Sequence, residues 1–276
     1  GIELAPGDYQ LTVTERDLPG NVIFASDTFT ADASRTLLFS ILDDAGTGTG
    51  EVFIRVLGSN DFGVLLDLNS PPELRAVHAA FGTDPVDIAV AGDFDPPLFE
   101  DLAFPELQGY EPTLSGENDL TVTDAGNPGA PLVEGTLNLL NGDRSIALVV
   151  GPPEDLELVS FFESNRRFAR YARLRFLQMA ANEATDALDI YLVDQGEDYT
   201  EFVPLVRNLV FRASTGYIDI VEGDYELVVT PAGDPDTVLA GPTNLDLDAT
   251  GIYGYYIVDS DQVDTVELRP LDDLAL

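Results

Sequence analysis

Three stretches of this chain are copies of one another, and that repetition limits its fold more than any other feature. Gly7-Asp8-Tyr9-Gln10-Leu11 returns as Gly223-Asp224-Tyr225-Glu226-Leu227, inside a longer copy running from Thr215 to Thr230. A looser version runs from Gly109 to Thr123 on Gly109, Tyr110, Leu114, Gly116, Leu120 and Val122. Each copy reads as a strand, a glycine turn and a second strand whose apolar residues fall on every other position, such as Tyr225, Leu227 and Val229.

The segments around the copies recur in the same order. Leu74 to Ala80 and Asp84 to Val90 precede the middle copy, with Leu102 and Phe104 leading into it; Leu174 to Ala180, Asp186 to Leu192, Leu209 and Phe211 precede the last one. Arg144 to Val150 and Leu156 to Phe162 follow the middle copy, and Gly251 to Val258 and Asp264 to Arg269 follow the last. Leu74 and Leu174 lie 100 positions apart, Asp84 and Asp186 102, and Phe104 and Phe211 107. A period near 100 residues filled with about seven short strands predicts β-sandwiches repeated as beads, not a solenoid.

The expected fold is therefore all-β: tandem immunoglobulin-like or prealbumin-like sandwiches, complete over 71–168 and 169–276. Residues 1–70 hold only the second half of a unit, with the first hairpin loop at Glu15 to Asn21 and strands at Val22 to Ala25, Arg35 to Leu42 and Glu51 to Leu57. Gly1 aligns with Tyr110 and Tyr217, which lie 36 and 43 positions after Leu74 and Leu174, so a stretch of that length is missing from the front of the first unit. Gly1 opens neither a signal peptide nor an ordinary reading frame, which points to a processed or trimmed product. Ser164 to Arg173 has helix-compatible spacing but falls between units, and reads as a linker or strand extension.

Charge narrows the partners. Fifty acidic residues against 13 basic ones, all arginine, give a formal charge of −37. Nucleic acid and anionic membranes both need a basic face, so neither is an expected partner. No apolar run is long enough to span a bilayer. The acidity fits a solvated surface in salty surroundings, or the collection of divalent cations. Cysteine is absent, which removes disulfides, thiolate metal sites and cysteine nucleophiles.

The run Leu74-Arg75-Ala76-Val77-His78-Ala79, then Asp84-Pro85-Val86-Asp87-Ile88, then a Gly-Tyr segment and a hairpin, resembles the bacterial and archaeal family known as domain of unknown function 4397. Arg75, His78, Asp84, Pro85, Val86 and Asp87 match its opening motif; Arg175, Asp186, Leu188 and Asp189 match in the last unit, where Gln178 replaces the histidine. Residues 1–70 resemble only the second half of the family pattern. The resemblance implies an exported protein displayed at the cell surface in tandem, without an assigned enzymatic activity, and it brings no active site.

Candidate chemistry is sparse. His78 is the only histidine and hence the only imidazole base, but its counterpart Gln178 cannot shuttle a proton, so the pair reads as a structural hydrogen-bonding position. The pairs Asp84/Asp87 and Asp186/Asp189 open a strand in each complete unit; they read as turn residues, with calcium binding as the alternative. Further Asp-rich loops at Asp43 to Gly48, Asp93 to Asp95, Asp246 to Asp248 and Asp259 to Asp261 lack the EF-hand spacing. Arg166, Arg167, Arg170, Arg173 and Arg175 crowd five cations into ten positions; they read as interface residues that clamp adjacent acidic units, or else as a docking patch for an acidic partner or glycan. Of Tyr253, Tyr255 and Tyr256, alternation sends the first two to the core and leaves Tyr256 exposed.

The function expected from all this is a non-enzymatic structural or adhesive protein of the cell surface, exported rather than periplasmic and needing no cofactor. The half unit adds a sharper expectation, a homo-oligomer or filament in which another subunit supplies the missing strands. The alternative is a calcium- or glycan-binding surface module using the Asp-rich loops. A hydrolase with paired carboxylates ranks third.

Overall fold

The structure is a computed structural model that describes residues 2–33, 36–43, 52–58, 62–164, 166–182, 186–262 and 264–271. These residues form tandem, largely antiparallel β-sandwiches with short connections; a 3-10 turn at Tyr199–Glu201 is the helical element among them. The Asp-rich loop at Asp43 to Gly48 falls outside the described residues from Asp44 onward.

In the N-terminal part, β1 (Gly7–Tyr9), β2 (Thr12–Glu15), β3 (Leu18–Ala25) and β4 (Phe29–Ala31) make one long interrupted hairpin in which β2 pairs with β3 and β1 with β4. Its turn is tighter than the expected loop from Glu15 to Asn21. Strand β3 already starts at Leu18, because Asp17 takes φ 63° and reverses the chain within two residues. Next, β5 (Leu38–Asp43), β6 (Val52–Leu57) and β7 (Phe62–Leu65) form a three-stranded antiparallel sheet. Phe24, Ile54 and Leu65 are buried at its small core, with Val13, Phe39 and Val56 packed around them.

The middle sandwich consists of β8 (Glu73–His78), β9 (Val86–Val90), β10 (Phe99–Leu102), β11 (Leu107–Pro112), β12 (Gly116–Asp124), β13 (Pro131–Leu139), β14 (Arg144–Val150) and β15 (Glu157–Glu163). Its two sheets have the orders β11-β8-β14-β15 and β10-β9-β12-β13, and the first contains a parallel pair, β8 with β14. Leu74, Ile88, Phe99, Leu120, Ala147 and Val149 fill the space between the sheets.

The C-terminal sandwich repeats this plan with β16 (Ala172–Gln178), β17 (Ala187–Asp194), β18 (Val206–Val210), β19 (Ala213–Ser214), β20 (Ile218–Ile220), β21 (Gly223–Pro231), β22 (Ala240–Leu247), β23 (Ile252–Asp259) and β24 (Val266–Pro270). One sheet runs β19-β16-β23-β24 with β20 also on β16, the other β18-β17-β21-β22, and β16 lies parallel to β23 as β8 does to β14. Its core holds Leu174, Phe176, Leu188, Ile190, Leu227 and Val229.

The two sandwiches are not separate beads. A third apolar core joins Val77, Ala79, Ile146, Leu148 and Val150 of the middle sandwich to Leu177, Met179, Tyr256, Val258 and Leu271 of the C-terminal one. The sheets holding β8–β14 and β16–β23 are therefore covered on both sides, and the four sheets stack in series. A sheet with one wet face alternates apolar and polar residues, whereas one buried on both faces reads as an unbroken apolar run. Ile146 to Val150 and Ile257-Val258 are such runs. Tyr256 accordingly differs from expectation: it is buried in this shared core, and its hydroxyl donates to the Pro105 carbonyl at 2.6 Å. Tyr253 and Tyr255 pack on the core of their own sandwich, as alternation predicts.

Candidate functional site

At one margin of the shared core sits a buried cluster of charge. Arg75, in the middle of β8, and Arg175, in the middle of β16, occupy the same place in their sandwiches, and Glu163 ends β15 between them. All three are buried, Arg75 and Arg175 almost completely. Arg75 grips Glu163 with two parallel bonds, Nε to Oε2 and Nη2 to Oε1, each 2.6 Å, and its Nη1 donates to the Leu271 carbonyl across the joint at 2.6 Å. Arg175 pairs with the same Oε1 through Nη2 and donates from Nη1 to the Phe162 carbonyl at 3.2 Å. One carboxylate thus holds a cation from each sandwich.

Aromatic rings close the cluster. The Tyr110 hydroxyl donates to Glu163 Oε2 at 2.7 Å, and its ring lies between the guanidiniums of Arg75 and Arg144, each 4.9 Å from the centroid. The equivalent Tyr217 lies between Arg173 at 4.3 Å and Arg175 at 4.8 Å. These are the tyrosines of the repeated Gly-Tyr dipeptide, and each works as a cation–π platform on one side of the joint. Burial pushes the Glu163 carboxyl up, but the charges of Arg75 and Arg175 and the bonds from Arg75 and Tyr110 outweigh it, so it titrates below the usual carboxylate range.

The other arginines of the basic run spread outward. Arg173 donates to the Arg166 carbonyl at 2.7 Å and lies 3.8 Å from Asp219; Arg167 donates to the Thr250 carbonyl at 2.9 Å. Arg166 lies over the Phe168 ring, and Arg170 is exposed on the turn closed by Phe168 and Tyr171. Burial lowers the pKa of Arg173, partly offset by Tyr217 and Asp219.

The acidic pairs divide by role. Asp87 Oδ1 accepts from the Asp101 N–H at 2.8 Å and Oδ2 from the Gly126 N–H at 2.8 Å. Asp189 repeats this with Asn208 at 2.8 Å and Gly233 at 2.9 Å. Asp101 and Asn208 sit in the left-handed region at φ 52° and 54°, and Gly126 and Gly233 at 71° and 78°. Each aspartate therefore pins a strained bulge and a glycine turn onto its strand. The turns carry a sequence signal of their own: Ala125-Gly126-Asn127-Pro128 returns as Ala232-Gly233-Asp234-Pro235. Asp84 and Asp186 are exposed at the strand approaches. Among the described residues no group of three or more acids or histidines is arranged to hold a metal ion.

His78 and Gln178 do the same work. His78 Nδ1 accepts from Ala80 N–H at 3.3 Å, which places the ring proton on Nε2, facing the Asp84 carbonyl at 3.1 Å. Gln178 Oε1 accepts from Ala180 N–H at 3.1 Å. Burial lowers the His78 pKa below 6.5, partly countered by the Asp84 carbonyl, so the ring is held neutral. A cleft of about 440 Å³ opens nearby, between Phe81, Pro152 and Pro153 of one sandwich and Asn182, Asp259 and Gln262 of the other. Its Asp259 carboxylate is engaged by the Ala181 and Asn182 N–H groups at 2.9 and 3.3 Å.

Fold and cluster together define a tandem β-sandwich protein whose two complete sandwiches are joined sheet to sheet around a buried Arg–Glu–Arg bridge. Residues 72–191 match the model of the family described as Domain of unknown function (DUF4397). No curated protein matches the chain. Among solved structures it is similar to CBMbc, a family CBM26 module of Eubacterium rectale Amy13K crystallised with maltoheptaose, at 13% identity over 73% of this chain and 99% of that one, with a TM-score of 0.25. It is also similar to a streptococcal virulence factor described for α-glucan binding, at 9% identity over 71% and 95% of the two chains, with a TM-score of 0.24. Likenesses at these scores assign no ligand.

Proposed function

We propose that the chain is a non-enzymatic structural or adhesive protein of the cell exterior, divided at 1–70, 71–168 and 169–276, and that its N-terminal strands are an assembly element. In this reading they accept a strand from another subunit, as in a filament. The observation that carries the reading is the edge of β5. Strand β14 is paired on both sides, by β8 and β15, and β23 by β16 and β24, while β5 among the described residues pairs only with β6. Ile41 on β5 remains 54% exposed although it pairs with Ile54, which is 0% exposed, so the inner face of the sheet is left partly uncovered. An unpaired edge flanked by open core is a template for strand addition.

The remaining features support a surface role. Asp87, Asp189, His78, Arg75 and Arg175 are bonded to their own fold, and the net charge of −37 gives the chain a solvated acidic surface. Arg170, exposed on the linker, is the cation best placed for an acidic neighbour or a glycan.

Strand uptake is tested with a synthetic peptide carrying the β8 sequence. Added in excess to the whole chain, it should slow hydrogen exchange in residues 38–43 and leave 144–150 unchanged, while a scrambled peptide does nothing. No slowing at 38–43, or equal slowing with the scrambled peptide, overturns the reading.

A further inference from the structure

The sheet β5-β6-β7 has a second apolar surface on its outer side. Phe39 and Val56 pack on the small core and Ile54 is fully buried there, so strand alternation turns Leu38, Ser40 and Leu42 of β5 and Arg55 and Leu57 of β6 outward. Register sets Leu38 beside Leu57, and Val64 of β7 beside Arg55. Leu38, Leu42, Leu57 and Val64 are 59, 43, 42 and 42% exposed, four apolar side chains on a face they share with Ser40 and Arg55, in a chain that is otherwise strongly acidic.

The chain itself shows what such a face packs against. Strands β5 and β6 follow their hairpin in the repeat as β14 and β15 follow β12–β13, and as β23 and β24 follow β21–β22. In the complete sandwiches the outward residues of these strands, Ile146, Leu148, Tyr256 and Val258, meet each other in the shared core. The repeat therefore contains one instance of this face pressed on its own counterpart, and one instance whose apolar residues are left exposed among the described residues.

We propose that the outer face of the β5-β6-β7 sheet is a self-association surface, on which the same sheet of a second copy of this chain packs in the manner of the middle and C-terminal sandwiches. A two-fold arrangement sets Leu38 and Leu57 of each copy against those of the other. Self-repulsion between two chains of charge −37 opposes the contact, so salt should strengthen it. The contact is independent of any strand added beside β5.

Sedimentation velocity of the whole chain at molar salt should show a concentration-dependent dimer that weakens at low salt. Leu57→Asp should raise the dissociation constant at least about tenfold, because it buries a charge at the contact, whereas Leu114→Asp, on an exposed position of the middle sandwich, should not. Because the chain has no cysteine, single replacements give an independent readout that does not require an unfolding-prone charge. Under a mild oxidant Leu57→Cys should form a disulfide-linked dimer and Leu114→Cys should not. A monomer at all concentrations and salts, or equal cross-linking at both positions, overturns the proposal.

Discussion

Replacing Glu163 with Ala should destabilise the joined sandwiches by about 3–5 kcal/mol, since removing one member of a buried ion pair strands its partners without compensation. Here two guanidiniums, Arg75 and Arg175, would be left buried and facing one another. Denaturant unfolding followed by circular dichroism reads the loss. Changing all three residues together, Arg75→Met, Glu163→Leu and Arg175→Met, should recover much of it, because apolar groups can replace a buried triad at little cost. The recovery should be incomplete: Arg75 also bonds the Leu271 carbonyl and stacks on Tyr110. The pH dependence follows from the lowered carboxyl. Glu163 titrates below its ordinary 4.5 when folded, so its contribution is complete above that value and is lost as pH falls through the folded pKa. The Glu163→Ala variant should therefore lose part of its acid sensitivity along with its stability.

The second large effect is expected at Asp87 and Asp189. Each carboxylate satisfies two backbone N–H groups at 2.8–2.9 Å. Hydrogen bonds to a charged group contribute roughly 1.5–3 kcal/mol each, and the orphaned donors carry a desolvation cost. Asp87→Ala and Asp189→Ala should each cost about 3 kcal/mol and speed hydrogen exchange at Gly126 and Gly233 respectively. Asp84→Ala and Asp186→Ala, at exposed positions, should stay within about 0.5 kcal/mol of the parent. If a calcium site used all four aspartates, the exposed pair would instead matter as much as the buried pair whenever calcium is present.

The two sites differ in how legible they are in the sequence. The repeats, the strand order and the structural use of Asp87, Asp189, His78 and Gln178 followed from comparing one unit with another, since a residue type kept at the same place in two units serves the shared fold. The joint between the units was harder to see. Glu163 belongs to one sandwich yet serves both, so it has no repeat signal, and the arginine run contained Arg175 but not its equivalent Arg75, which lies 100 positions earlier in the other unit. A buried guanidinium at one place in both units does demand an acid, and Glu163 at the end of β15 is the one that reaches both. Tyr256 was misplaced for a related reason. Alternation says which side of a strand a residue faces, but whether the outer side is wet depends on what packs there, and the unbroken apolar run Ile146 to Val150 was the clue that it is covered.

The central claim is that the middle and C-terminal sandwiches behave as one body through their shared core and the Arg75–Glu163–Arg175 bridge. Hydrogen exchange across a denaturant titration tests it most directly, with peptides covering 144–150 and 252–259 followed in one sample. A shared core predicts that both peptides lose protection at the same denaturant midpoint, and that Glu163→Ala lowers the two midpoints together. Separate midpoints in the parent chain, with Glu163→Ala moving only one of them, would contradict it.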